Sequence, residues 1–381
     1  MPRLTLVTML NCGQGMTTLV EVYDNGNEDG PADYLALIDC GGDLAWGGRE
    51  SVDYIARKVE QSGSLPNIVI SHQDMDHNSL LRDLGGLLRP MQPHIDSIFL
   101  GGTDWQSVNV KRVQKFARTV GYQRDPEFAN PMRSDYMKAG GGLDSLAEYN
   151  DVHLRVLMSH LNVGGKAMDI RRNASSAVIV VENGHFAVVL PGDATWQTMR
   201  QISQIPNLKA TLPTVVGLSI PHHGSLRTAV EDYHAGRLPK KWEIVQEFSD
   251  TIAPWRIGAS AGPFNRHHHP VSEVLDKFTT VRSAPCHDLV AYVFNCHGPT
   301  TQCWQTLPSS TATYCTVQSI GALPERSKKR WHWIKPFCSG DIIFRLSEPG
   351  VLRPEEMVEF RPRGTAGTER ATDGIVRAPA P

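Results

Sequence analysis

The sequence predicts an α/β protein in which two β-rich halves face each other with helices outside them, an αββα sandwich. Three observations predict it. Short β-rich runs divided by turn residues open the chain, a β-α-β order follows around residues 67–70, and a second group of apolar strand-like runs fills residues 152–260.

Leu4 to Leu10, Thr17 to Tyr23 and Tyr34 to Ile38 are rich in β-branched, aliphatic and aromatic residues and read as strands. Asn25-Gly26 and Asp29-Gly30-Pro31 supply the turn between the last two. From Glu50 to Gln61, Val52, Ile55, Ala56 and Val59 recur at helical spacing. Asn67 to Ile70 is a short buried strand that delivers Ser71 and His72 to its carboxyl end, and Leu80 to Leu88 is the helix after it. Loops after strands are where α/β proteins place functional groups. Residues 102–150 read as an insertion suited to a lid or a substrate wall: a helix from Trp105 to Val120, then a Gly- and Asp-rich stretch through Gly140-Gly141-Gly142. Strand signals return at Val152 to Met158, Ser176 to Val181 and Phe186 to Leu190, with Asn183-Gly184 as a hairpin turn. Val215 to Ile220 and Trp255 to Ser260 complete the second set. One domain over 1–348 is expected, with a further insertion at 283–337. From Pro349 the chain is rich in Pro, Arg, Gly, Thr and Ala without periodicity and reads as a disordered tail.

With 381 residues, 40% of them apolar, the chain can bury a full core. The first residues lack the apolar stretch of a secretory signal, and no window reaches the roughly 18 uninterrupted apolar residues of a membrane span. The expectation is a soluble, cytoplasmic protein with no membrane partner. Seven cysteines, an odd number, argue for reduced thiols. Cys286, Cys296, Cys303, Cys315 and Cys338, with His287 and His297, crowd the last third but lack the short spacing of a structural zinc site, so they read as buried thiols. A net charge of -2 gives no general pull toward polyanions, so a nucleic-acid or nucleotide substrate needs a local patch. Arg326 to Trp333, with Lys328, Lys329 and Arg330 beside Trp331, offers one, although a basic solvent loop has the same composition.

His72, Asp74, Asp76 and His77 fall within six residues directly after the run Ile68-Val69-Ile70. A loop leaving a strand can turn such imidazoles and carboxylates inward onto a metal; the competing reading is a polar loop in which Asp74 or Asp76 caps a helix. Pro191-Gly192-Asp193 follows another apolar strand, a pattern that alone is usually a turn. Pro221-His222-His223-Gly224-Ser225 follows a third, and Asn265-Arg266-His267-His268-His269-Pro270 comes after a fourth. The repeated arrival of His or Asp at strand ends is the argument for one shared site.

In this order, His-x-Asp-x-Asp-His at 72–77, Gly-Asp at 192–193, His-His-Gly-Ser at 222–225 and His-Pro at 269–270 resemble the metallo-β-lactamase-like hydrolases related to the cytoplasmic domain of the DNA-uptake channel ComEC. Asn11-Cys12-Gly13-Gln14-Gly15-Met16 resembles that family's opening motif, and Leu37-Ile38-Asp39-Cys40-Gly41 its second strand and turn. Asn173 with Ser175 or Ser176 and Gly340-Asp341-Ile342-Ile343-Phe344 also fit, so the likeness spans roughly residues 3–347.

The resemblance implies a metallo-β-lactamase αββα sandwich with two divalent metal ions, zinc or manganese. His72, Asp74 and a bridging Asp193 would hold one, and Asp76, His77, Asp193 and His222 or His223 the other. Asp74 stands where most relatives have histidine, an added oxygen donor that suits a harder ion such as manganese. Two such ions lower the pKa of a shared water and make hydroxide available as nucleophile. Asp76 belongs to the catalytic set. His269 would protonate a leaving group or orient substrate, or else lie in a polar tract capping a helix from Val271 to Phe278. Asn173, Ser176 and Ser225 would contact substrate.

The departures are Met16, where relatives carry an acidic residue, and the want of an obvious third-motif histidine before Asp193, a place for which His160 and Asn173 compete. The implied function is a metal-dependent hydrolase, a phosphodiesterase or nuclease. The alternatives are a hydrolase of another ester, thioester or lactone, since a fold hosts many reactions, and a regulatory binding module with an incomplete metal site.

Overall fold

A computed structural model describes residues 2–123, 127–128, 144–164, 166–230, 242–260, 274, 277–278, 291–293, 305–307, 312–315, 317–319, 337–352 and 356–365. The chain begins with an antiparallel meander of β1 (Leu4–Met9), β2 (Thr17–Tyr23) and β3 (Tyr34–Cys40). Helix α1 (Gly48–Ser62) then crosses to β4 (Asn67–Ile70), parallel to β3, and α2 (Leu81–Leu88) crosses to β5 (Ser97–Leu100), parallel to β4. Residues 107–119 form α3 (Ser107–Thr119), and β6 (Glu127–Phe128) extends the sheet beyond β5.

The second sheet grows from β7 (Asp144–Tyr149), β8 (Val152–Met158), β9 (Val178–Asn183) and β10 (Phe186–Leu190), antiparallel neighbours, with α4 (Met168–Ala174) between β8 and β9. Helices α5 (Trp196–Ser203) and α6 (Leu208–Thr211) lead to β11 (Thr214–Ser219). Helices α7 (Leu226–Ala229) and α8 (Glu243–Ile252) lead to β12 (Arg256–Ala259). From β10 the pairing turns parallel, through β11 and β12 to β15 (Ala312–Cys315). β13 (Ala291–Val293) and β14 (Gln305–Leu307) pair antiparallel with each other as a two-stranded sheet. β16 (Val317–Ser319), β17 (Phe337–Ser347) and β18 (Val358–Thr365) return to the first sheet, where β17 pairs with β1.

Three core clusters fill the three gaps of a four-layer sandwich. Leu35 and Leu37 of β3 pack with Ile55, Leu84 and Phe116 of the helices on one outside. Ala187 and Val189 of β10 pack with Met199, Ile202 and Phe248 of the helices on the other. The alternate residues, Tyr34, Ala36 and Ile38 of β3 and Phe186, Val188 and Leu190 of β10, meet between the sheets. Both faces of these strands are buried, which is why the period-2 pattern reads in sequence as nearly continuous apolar runs. The α/β, αββα architecture expected from the motifs is the one present.

One expectation needs revision. The chain past Pro349 is not all tail: Val358–Thr365 pairs antiparallel with β17, and Met357 and Val358 are buried between the sheets. The apolar pair Met357-Val358 sits too close to Pro and Arg residues for composition to reveal it. Several elements, among them β5, α4, α5 and α8, lacked a distinct reading because each is short or bounded by polar residues. The expected Arg326 to Trp333 patch and the expected helix from Val271 to Phe278 lie outside the described residues, the latter except for Val274, Lys277 and Phe278. Among the described residues, no helix is long and apolar enough to cross a membrane.

Candidate metal centre

The parallel pairing of β3 with β4, of β10 with β11 and of β11 with β12 gathers the carboxyl ends of these strands along one edge of the sandwich. The loop after β4 carries His72 to His77, the turn after β10 carries Asp193, and the turn after β11 carries His222 and His223. Both histidines of that last turn adopt left-handed backbone conformations, His222 at φ 47 and His223 at φ 53. Such geometry costs about 1–3 kcal/mol per non-glycine residue, and it persists where surrounding structure enforces it.

Asp193 is the hub. Its Oδ1 lies 3.0 Å from His77 Nε2 and 3.8 Å from His223 Nε2. Its Oδ2 lies 3.6 Å from His72 Nε2 and 3.5 Å from His222 Nε2. Asp76 Oδ2 stands 3.5 Å from His223 Nε2, and Asp74 Oδ2 stands 3.8 Å from His72 Nε2. One donor set, Asp76, His77 and His223, therefore faces Oδ1; the other, His72, Asp74 and His222, faces Oδ2. The ligand-capable atoms of Asp76, His77, Asp193 and His223 all lie within 4.8 Å of one another.

No family model matches this chain, and no curated protein matches it. It is similar to the metallo-β-lactamase fold protein YhfI from Bacillus subtilis, at 14% identity and a TM-score of 0.43 over 74% of this chain and 95% of that one. It is similar to a metallo-β-lactamase from Staphylococcus aureus, at 11% identity and a TM-score of 0.31 over 74% and 69% of the two chains. A long form RNase Z from yeast is matched at 7% identity and a TM-score of 0.37 over 68% of this chain and 37% of that one.

The donor arrangement fits divalent cations. Two ligand atoms about 2.1 Å from one ion at a tetrahedral angle stand roughly 3.4 Å apart, close to the Asp193 separations above. His72 Nε2 is buried without a hydrogen-bond partner, although a buried polar atom left unpaired is costly. The charges make the same demand. Burial pushes the His77 pKa down, but Asp193 and Asp39 on either side outweigh it and hold it well above the usual value. Burial pushes the Asp193 carboxyl up, but His222, His77 and His72 hold it well below the usual range. Burial would raise Asp76 too, and its hydrogen bond with His223 and the charge of His77 hold it low. His72 and His222 are pushed down by burial. The carboxylates of Asp39 and Asp193 on either side of His77 thus call for positive charge at this place, which a bound cation would supply.

The shell behind the donors is built in. Asp39 accepts from the Ser71 backbone N–H at 2.7 Å and the Ser71 hydroxyl at 2.8 Å, and its Oδ2 is 2.7 Å from His77 Nδ1. That carboxylate orients the imidazole, as carboxylates behind metal-binding histidines do. Asp39 was visible only as part of a strand-end motif; its left-handed backbone, φ 58, had no signal in sequence. His223 Nδ1 lies 3.2 Å from the Ser260 carbonyl, which fixes the other ring.

Of the residues expected to touch substrate, Asn173 is brought to the centre, with Nδ2 3.2 Å from His222 Nδ1. His160 places its Nδ1 2.9 Å from Ser159 Oγ. Ser176 is fully buried; its Oγ accepts from the Asp193 N–H at 3.2 Å and lies 3.5 Å from His72 Nδ1. It supports the donors and is not placed to meet a substrate. Ser225 is buried as well, with its N–H on the His222 carbonyl at 2.8 Å, so it closes the turn. His267, His268 and His269 lie outside the described residues. Cys12 and Cys40 are both buried.

Proposed function

We propose that this protein is a metal-dependent hydrolase of phosphodiesters, a phosphodiesterase or nuclease with a dinuclear centre bridged by Asp193. One observation carries the reading: the two oxygens of one buried carboxylate each face a separate His and Asp set. His72, Asp74 and His222 would hold one cation, Asp76, His77 and His223 the other, so both histidines of the 222–223 pair find a role. Zinc suits the nitrogen donors and manganese the added oxygens. Divalent cations in such a site supply Lewis acidity toward water and phosphoryl oxygens.

The chain's own groups do the rest. Asp39 and Ser260 fix the rings of His77 and His223, so the donors do not reorganise during reaction. Asp74 and Asp76 are part-exposed while His72, His77 and His223 are buried, which leaves the carboxylates on the open side. Arg171, Arg172 and Arg227 stand on α4 and α7, which flank the His222 turn. Arg171 and Arg227 pair with Asp104 and Asp169, and Arg172 has no carboxylate within ion-pair distance among the described residues. A cation on this rim favours anionic substrates over neutral esters, thioesters or lactones.

Metal content and hydrolysis measured together test the proposal. Purified protein is expected to take up zinc or manganese and to cleave bis-p-nitrophenyl phosphate or labelled single-stranded DNA, with Asp76→Ala losing at least about 100-fold in rate, the scale of removing one main transition-state stabiliser. Full activity in that variant would refute the site. Turnover of lactones or thioesters without phosphodiester cleavage would move the reading to the other ester class.

A further inference from the structure

We infer that residues 101–106 form a strap that positions the Oδ2 half of the centre, with Gln73 as its anchoring residue. This rests on the metal reading above. Gln73 lies between His72 and Asp74 and is fully buried, yet its side chain serves neither. Its Nε2 donates to the carbonyl of Thr103 at 3.0 Å and to that of Asp104, and its Oε1 accepts from the Gln106 N–H at 2.7 Å. Both donor hydrogens and an acceptor lone pair of the carboxamide go to the backbone of one other segment. A residue inside the ligand loop that commits its polar atoms in this way acts on the loop's position.

The same segment grips the opposite wall. Thr103 donates to Ser175 Oγ from its N–H at 2.9 Å and from its hydroxyl at 3.2 Å, and Asp104 lies 3.3 Å from Arg171 Nε. Arg171 and Ser175 bracket Asn173, which touches His222. Direct contacts therefore run from the His72 loop through the strap to α4 and on to His222, and these are the two imidazoles that face Asp193 Oδ2.

The strap is shaped for this approach. Gly102 has φ 74, and a Cβ there would stand 3.0 Å from His72 Cβ; Asp104 also lies in the left-handed region, at φ 57. The Oδ1 half has different supports, Asp39 behind His77 and the Ser260 carbonyl behind His223. Loosening the strap should act on one half of the centre only.

Hydrogen exchange on metal-free protein and cobalt(II) titration followed by visible absorption test this together, using Gln73→Leu, Gln73→Glu and Asp104→Asn. Gln73→Leu keeps bulk but bonds to nothing; Gln73→Glu keeps the acceptor for Gln106 and sets an oxygen against two carbonyls. Faster exchange is expected in both 101–109 and 168–176 for both Gln73 variants; a change confined to 71–78 would overturn the strap. In the titration the weaker cobalt step should lose roughly tenfold to a hundredfold in affinity, the scale seen for outer-shell partners of metal ligands, with the tighter step nearly unchanged. Equal weakening of both steps, or of neither, would overturn the assignment to one half. Asp104→Asn cuts a part-exposed ion pair, so it keeps the strap open to refutation if the Gln73 variants fail to fold; it should weaken the same step by less, and no change there counts against the strap. Wild-type protein that takes up no cobalt would sink the metal reading, while the exchange comparison would still decide the strap.

Discussion

Asp39 shows how far a single residue can govern this site without touching a substrate. Its carboxylate takes two hydrogen bonds from Ser71 and faces His77 Nδ1, which leaves Nε2 of that ring directed at Asp193. An asparagine keeps the size but offers one acceptor, so it cannot serve Ser71 and His77 alike. Asp39→Asn is expected to weaken cation binding by about tenfold to a hundredfold, measured by competition with a chromogenic chelator. Unchanged affinity in a folded variant would show that the ring is oriented by packing alone. The residue-level site was only partly legible beforehand. His72, Asp74, Asp76, His77, Asp193, His222 and His223 all announced themselves as polar groups after apolar strands. Gln73 did not, because a buried polar residue that bonds to backbone looks in sequence like any loop residue, and Ser176 was marked for substrate, whereas its hydroxyl accepts from the Asp193 N–H.

At the scale of elements, buried strands were the easiest to read, since a short run rich in β-branched and aliphatic residues and bounded by turns suits a strand better than a helix by its length, its flanks and its composition. Thr17–Tyr23, Asn67–Ile70, Val152–Met158 and Phe186–Leu190 fall where the pattern places them. Short elements held by tertiary contact were not readable: α4 owes its place to Ser175 and Asn173, and β18 to its pairing with β17. Sheet-to-sheet contact was invisible too. Phe344 of β17 presses against Gly217 of β11, where a Cβ would collide with the ring, and its tip lies near Gly258 of β12. Neither wall can yield cheaply, because Phe344 is fully buried and Gly217 sits inside a parallel pair. Gly217→Ala is accordingly expected to cost about 1–3 kcal/mol, the range for overpacking a filled core, read as a lower urea midpoint with an unchanged slope. A neutral result would mean that the sheets can separate locally without loss.

Across the whole molecule, two of the polar ties that join the sheets centre on a carboxylate. One is the centre itself, where His77 from the first sheet meets Asp193 from the second. The other is Asp24, just after β2, which accepts from Arg3 Nε at 2.6 Å and from the Tyr149 hydroxyl of β7 at 2.9 Å. Burial pushes the Asp24 carboxyl up, but these hydrogen bonds and the Arg3 charge outweigh it and lower its pKa. A carboxyl lowered on folding contributes stability that is full above its unfolded pKa, about 3.9, and that is lost as pH falls through the lower folded value. Asp24→Asn should therefore destabilise the protein at neutral pH, and the gap from wild type should close as pH drops below about 4. Arg3 and Asp24 are part-exposed, so solvent screening keeps the effect modest, and added salt should shrink it further. Urea unfolding of both proteins from neutral pH down through the acid limb measures this directly. A constant gap at every pH would mean that the tie works through the shape of the side chain, with its charge contributing nothing.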